Sequence, residues 1–218
     1  MYISSLTLRN FRNFKKSRLI FKDGINTIIG ENGSGKTNLF YALRLLLDDS
    51  LPRNSTANLN DTDFCRVLDH WEGHWIVLSV EFADLDIGED AQAMALHTCG
   101  HMDTADKGSF SVFFRPKLAI RQQLFEFSED VGKSVPGLEE ILNSITLEDY
   151  ESVAYCRGTA DFSQDETYVE YVGDFATLTF PSPVQQDEEL GVPQPANLSI
   201  HREVSCTFIK LYEMSKAT

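Results

Sequence analysis

Gly24-Ile25-Asn26-Thr27-Ile28-Ile29-Gly30-Glu31-Asn32-Gly33-Ser34-Gly35-Lys36-Thr37-Asn38-Leu39 is the stretch on which the fold turns. Residues 25–29 are short, β-branched and followed by glycine, which predicts a buried strand feeding a tight loop. From Lys36 the period changes: Leu39, Leu43, Leu46 and Leu47 share one helical face, and the helix is expected to end near Asp48-Asp49-Ser50, ahead of Pro52. Strand, G-x-x-x-x-G-K-[ST], then helix is the context this phosphate-binding motif requires. Gly30, Gly33 and Gly35 let the backbone fold until successive N–H groups face inward, and the helix N-terminus adds its partial positive charge. Glu31, Asn32 and Ser34 complete the loop. In such a motif Lys36 sets its ammonium against the β- and γ-phosphates and the Thr37 hydroxyl binds Mg²⁺. The expected ligand is ATP with Mg²⁺.

Working outward, residues 1–8 alternate apolar and polar side chains and read as a strand. Asn10-Phe11-Arg12-Asn13-Phe14 is a bend, and residues 17–21 are a second strand. Asp23-Gly24 signals a turn that pairs residues 17–21 with residues 25–29. Beyond the helix, residues 50–62 are polar loop, and Asp61 or Thr62 is placed to cap a short helix carrying Phe64, Val67 and Leu68. Strands are predicted at 75–82, 109–114, 124–127, 152–156, 167–172, 176–180 and 203–209. Helices are predicted at 91–96 and from Pro136-Gly137 through 142. Residues 181–195 hold four prolines and Gln-Gln-Asp-Glu-Glu and read as a linker. The predicted fold is α/β: a mixed sheet around the helix after the phosphate loop, plus an antiparallel β lobe. The expected division is a head at 1–180, a linker at 181–197, and a terminal strand and tail at 198–218.

The 218 residues carry a net charge of −14, unevenly spread. Residues 1–53 hold nine Lys/Arg and four acids; the remainder holds ten and 29. A basic lobe on an acidic body can offer one positive face to nucleic acid, although solvated charge on strands and a helix explains the pattern equally simply. No apolar run approaches the ~20 residues of a membrane-spanning helix, which predicts no membrane partner. Neither a secretory leader nor a CxxC pair is apparent, and the four cysteines lie far apart, which suits a cytoplasmic location.

Leu8-Arg9-Asn10-Phe11-Arg12-Asn13-Phe14 followed by residues 24–39 resembles the start of an ABC-type ATPase head of the SMC/RecF-like group. Within that group the chain is most similar to the OLD (overcoming lysogenization defect) family of ATP-dependent nucleases, which includes antiphage effectors. That narrower resemblance rests on Leu43 to Leu47 running into Asp48, on Asp61-Thr62-Asp63-Phe64, on Tyr155-Cys156-Arg157-Gly158-Thr159-Ala160-Asp161 with Tyr168, and on Val204-Ser205-Cys206-Thr207-Phe208-Ile209-Lys210. It implies nucleotide contacts from the bend, at Arg12 and Asn13, and from Asn38. Contact with DNA is a further expectation for Lys15, Lys16 and Arg18. It also implies a homo-oligomer, or a partner subunit that supplies the signature and Walker B motifs.

Several parts of such an ATPase are not recognisable: an LSGGQ-like signature, an apolar strand ending in Asp-Glu, a switch histidine and a Toprim nuclease. Asp165-Glu166 is an acidic pair, but Phe162-Ser163-Gln164 before it is no apolar strand. Gln122 and Gln123 are candidates for a Q-loop glutamine, with a plain surface role as the alternative. No catalytic carboxylate is assigned, and hydrolysis by the chain alone is expected to be weak or absent. These gaps suggest the N-terminal portion of a larger architecture, a truncated gene product or half of a split protein. His97-Thr98-Cys99-Gly100-His101 packs three metal-ligand types into five residues, yet lacks the paired spacing of a zinc site and reads as polar loop.

Overall fold

The protein is described by a computed structural model at residues 1–48, 59–68, 70–85, 107–129, 135–155 and 161–173. Five strands form one sheet: β1 (Tyr2–Phe11), β2 (Phe14–Ile20), β3 (Ile76–Ala83), β4 (Gly108–Pro116) and β5 (Tyr150–Tyr155). Their order is β2-β1-β3-β4-β5, and every neighbouring pair is antiparallel. The antiparallel lobe is therefore present, while the mixed sheet around the phosphate-loop helix is not found among the described residues.

Register fixes what each face carries. Leu6 pairs with Val80 and Val80 with Phe110; Leu8 pairs with Leu78 and Leu78 with Val112, which makes one face continuously apolar. The opposite face runs Thr7, Ser79, Ser111 across three strands, and the Ser111 hydroxyl donates to Ser79 Oγ at 2.7 Å, so these buried polar groups satisfy each other. Further along that face Phe113 packs on Trp75 and Phe162, with ring centroids 5.9 and 5.3 Å apart.

Three predicted elements are corrected. Residues 25–29 form no strand, and Ile25 and Ile29 are 98% and 89% exposed. β2 spends its pairing on β1 in a hairpin that closes at Arg12-Asn13, so the Asp23-Gly24 turn leads to a segment with no ladder partner among the described residues. Composition can nominate a strand, but only a neighbour makes one. The predicted strands at 124–127 and 167–172 are helical, within α2 (Leu118–Glu129) and α4 (Asp165–Gly173). Leu-Phe-Glu-Phe alternates like a strand, but it continues a run of helix formers from Leu118. Predicted elements at 91–96, 176–180 and 203–209, the linker and the tail lie outside the described residues.

The chain divides into two compact units. The first, residues 1–116 and 146–164, holds the sheet and α1 (Lys36–Leu47), which lies against β3 and β4 and buries Leu39, Ala42 and Leu46. The second takes, among the described residues, 117–129, 135–145 and 165–173, with α2, α3 (Val135–Ser144) and α4. In it Phe127 abuts Gly137, where a Cβ would lie 3.2 Å from the ring. This unit begins as an insertion between β4 and β5, whose ladder closes at the Pro116–Tyr150 pair.

The Asp161–Gln164 turn is fastened to the sheet by a buried ring and an ion pair. Phe162 is wholly buried, and Arg18 bridges Asp161 at 2.7 Å and Glu81 at 3.1 Å. Burial pushes the Asp161 carboxyl up, but hydrogen bonds from Ser163 and Arg18 outweigh it and leave the group below its ordinary value. Because the folded value is depressed, its contribution is present above the unfolded value near pH ~3.9 and fades as pH falls through the folded one. In urea denaturation, Phe162→Ala should cost about 3–5 kcal/mol. Asp161→Asn, at a half-exposed pair, should cost about 1 kcal/mol or less at pH 7, and that difference should shrink below about pH 4.

Candidate phosphate-binding site

The loop at residues 30–37 starts its helix with a glycine in the left-handed region: Gly35 has φ +101°, and Gly33 has φ +86°. These angles suit glycine because a Cβ would crowd the neighbouring carbonyl. The Ser34 N–H donates to the Glu31 carbonyl at 3.2 Å, which closes the turn, and the Leu39 N–H reaches the Gly35 carbonyl at 3.0 Å, which opens α1. Gly35 has a second constraint. A Cβ there would lie 2.1 Å from Asn13 Nδ2, so the β1–β2 bend presses directly on the loop. Lys36 folds over the loop and donates to the Gly30 and Glu31 carbonyls at 2.7 Å each. Thr37 is exposed in the first turn of α1.

The bend is held from behind. Asn10 and Arg12 both have left-handed φ, at +53° and +52°. Arg12 Nε donates to Asp63 Oδ1 at 2.8 Å, Arg12 Nη1 to Asn38 Oδ1 at 3.0 Å, and the guanidinium lies 4.2 Å from the Tyr41 ring centroid. Asn38 Nδ2 donates to Asn13 Oδ1 at 2.8 Å, and Asn13 Nδ2 to the Ser34 carbonyl at 3.1 Å. The structure thus gathers Arg12, Asn13, Ser34, Gly35 and Asn38 into one network. The predicted cap at Asp61 or Thr62 is corrected. Asn60 caps a short 3-10 helix, Asp61–Asp63, its Oδ1 accepting the Thr62 N–H while Asp63 Oδ2 accepts the Asn60 N–H, both at 3.1 Å. Asn-x-x-Asp is a capping-box pattern, and that signal could have found it.

Other candidates fall elsewhere. Lys15, Lys16 and Arg18 are exposed on the edge strand β2, but Arg18 is engaged by Glu81 and Asp161. Burial acts against its charge, and the two carboxylates more than compensate, raising its pKa above the ordinary value. Gln122 and Gln123 are exposed on α2 rather than near a strand end, and Asp165-Glu166 opens α4. His70 and Glu72 stand 3.7 Å apart, and among the described residues no cluster could hold a metal ion. Residues 97–101 lie outside the described residues, and no described helix is long and apolar enough to cross a membrane.

The family described as "AAA ATPase domain" matches residues 1–167. The chain belongs to the AAA ATPase domain family. RecF proteins from Bacillus thuringiensis (strain Al Hakam) and Bacillus cereus (strain B4264), described as DNA replication and repair proteins, are each 44% identical over 66 residues. That match covers 30% of this chain and spans 16% of each relative's length. A solved structure from work on "ATP-driven dimerization and DNA stimulated activation of SMC ATPases" aligns with 53% of this chain and 64% of that one. Its identity is 20% and its TM-score 0.36, too loose a superposition to define a shared fold.

Membership of the AAA ATPase domain family implies ATP binding, usually with Mg²⁺. The loop fits that ligand: the residues where a side chain would obstruct or strain the cradle are glycine. Gly30, Gly33, Gly35 and Lys36 would hold the phosphates and Thr37 the Mg²⁺, whose charge would offset theirs. Gly35→Ala in the AAA ATPase domain should weaken Mg-ATP binding by roughly 100-fold, or about 3 kcal/mol, in a calorimetric titration. The cause is the collision with Asn13 as much as the backbone strain.

Proposed function

We propose that this AAA ATPase domain is the ATP-binding N-terminal portion of an OLD-like ATPase/nuclease that acts on DNA in antiphage defence. The observation that carries the nucleotide part is the loop at residues 30–37, with glycine at both left-handed positions and Lys36 folded across it. Similarity to RecF, named for DNA replication and repair, supports a DNA-associated role. Lys15 and Lys16 on β2 are the proposed DNA contacts. Arg18 belongs to the same strand with its charge already directed at two carboxylates. Lysines on an edge strand also discourage unwanted pairing, which is the plainer reason for their presence.

A second reading treats the domain as a non-hydrolysing assembly module, completed by another copy or by a partner subunit bearing signature and Walker B motifs. Two exposed isoleucines, Ile25 and Ile29, immediately before the phosphate loop, favour it. In this reading another copy or the partner subunit pairs with that segment, which has no ladder partner among the described residues.

Titration of Mg-ATP into the parent chain and Lys36→Ala, with phosphate release followed on the same samples, separates these readings. Binding by the parent, weakened at least about 100-fold in the variant, with release close to background in both, is the expected result. Rapid Lys36-dependent release would instead reveal a complete ATPase and remove the assembly-module reading. Absence of binding by the parent would remove both.

A further inference from the structure

Behind the phosphate loop runs a hydrogen-bond relay whose direction is dictated by its first member. Arg12 carries five N–H donors and no acceptor, so Asn38 can offer it only its oxygen. That leaves the Asn38 amino group for Asn13 Oδ1, and hence the Asn13 amino group for the Ser34 carbonyl. Each amide is thereby oriented by the one before it. The peptide bonds are trans, and across a trans peptide the carbonyl and the following N–H point in opposite directions. Holding the Ser34 carbonyl toward Asn13 therefore turns the Gly35 N–H away from Asn13. An inward-facing amide in this loop is what an anion nest needs.

The relay begins at Asp63. Its side chain is 4% exposed, and its two oxygens are divided between Arg12 and the Asn60 N–H. The backbone repeats the connection. The Arg12 N–H donates to the Asp63 carbonyl at 2.8 Å, the Cys65 N–H to the Asn10 carbonyl at 3.0 Å, and the Arg66 N–H to the Arg12 carbonyl at 3.1 Å. The next residue, Phe64, is locked among Trp71, Phe114 and Tyr150, with ring centroids 5.3–5.9 Å away. Asp63 is thus placed by the sheet's own core, and Arg12 is held in an otherwise unfavourable left-handed conformation by what Asp63 supplies.

We infer that Asp63 is a positioning residue for phosphate binding: through Arg12, Asn38 and Asn13 it fixes the Ser34–Gly35 peptide in the orientation that presents the Gly35 N–H to the nucleotide. The inference rests on the ATP-binding reading above. It makes Arg12 a strut behind the loop and gives Asp63, which lies outside the phosphate motif, a measurable share in nucleotide affinity.

The test compares the parent with Asp63→Asn, Arg12→Gln, the double variant and Phe162→Ala. Two quantities are read: Mg-ATP affinity, and amide hydrogen exchange of the peptide covering residues 30–37 in ligand-free protein. The relay requires Asp63→Asn and Arg12→Gln each to weaken binding about tenfold and to speed loop exchange, with the double variant no worse than either alone, since one pathway is broken once. Phe162→Ala should lower the melting temperature without moving either quantity, which separates positioning from general destabilisation. Unchanged loop exchange in Asp63→Asn overturns the inference, as does multiplicative weakening to about 100-fold in the double variant or an equal loop response in Phe162→Ala. If the parent binds no Mg-ATP while the exchange pattern holds, the relay stands as the determinant of loop geometry and the nucleotide reading falls.

Discussion

Asn13 and Gly35 lie closer than any side chain at position 35 would permit, and the hydrogen bond from Asn13 to Ser34 holds the loop at that distance. Two backbone problems are solved together there. The β1–β2 hairpin has to turn within two residues, and the phosphate loop has to keep a shape that depends on left-handed glycines. Each supports the other: the hairpin gives the loop a wall, and the loop gives the hairpin's Asn13 amide its acceptor. The sheet supplies the rigidity, because β1 is buried along most of its length between β2 and β3.

The charge economy of the lobe follows the same logic. Arg12, Arg18 and Arg115 each face a carboxylate from another part of the chain: Asp63, Glu81 with Asp161, and Glu151. The pairs do different jobs. Arg115 is buried beneath Trp75, and burial lowers its pKa although Glu151 compensates in part. Arg18 secures a turn near the surface, where such pairs contribute little. Arg12 alone continues into a relay that ends at the phosphate loop. Basic residues in the first 20 positions thus look in sequence like one positive face, and in space they divide into struts and edge lysines.

Local signals were legible where local physics decides. The phosphate motif, α1, β3, β4, α3 and β5 follow from glycine placement and apolar period, since burial of one face preserves those patterns. The α2 and α4 segments misled because Leu-Phe-Glu-Phe and Thr-Tyr-Val-Glu-Tyr-Val alternate or are β-rich over too short a span to outweigh their helical flanks. Ile25 to Ile29 misled for another reason: strandness there is a property of a neighbour, and sequence lists no neighbours. In the site, Lys36 and the glycines could be named from spacing alone. Asp63 could not, because its role depends on a contact 51 residues away in the chain.

Amide NMR of the labelled chain during Mg-ATP addition tests the central claim most directly, since it reads the loop backbone itself. The account requires the Gly33, Gly35 and Lys36 amides to show the largest shifts and to saturate together, with smaller changes at the Asn13 and Asn38 side-chain amides. Shifts concentrated elsewhere in the chain, with those loop amides unmoved at saturation, would contradict it.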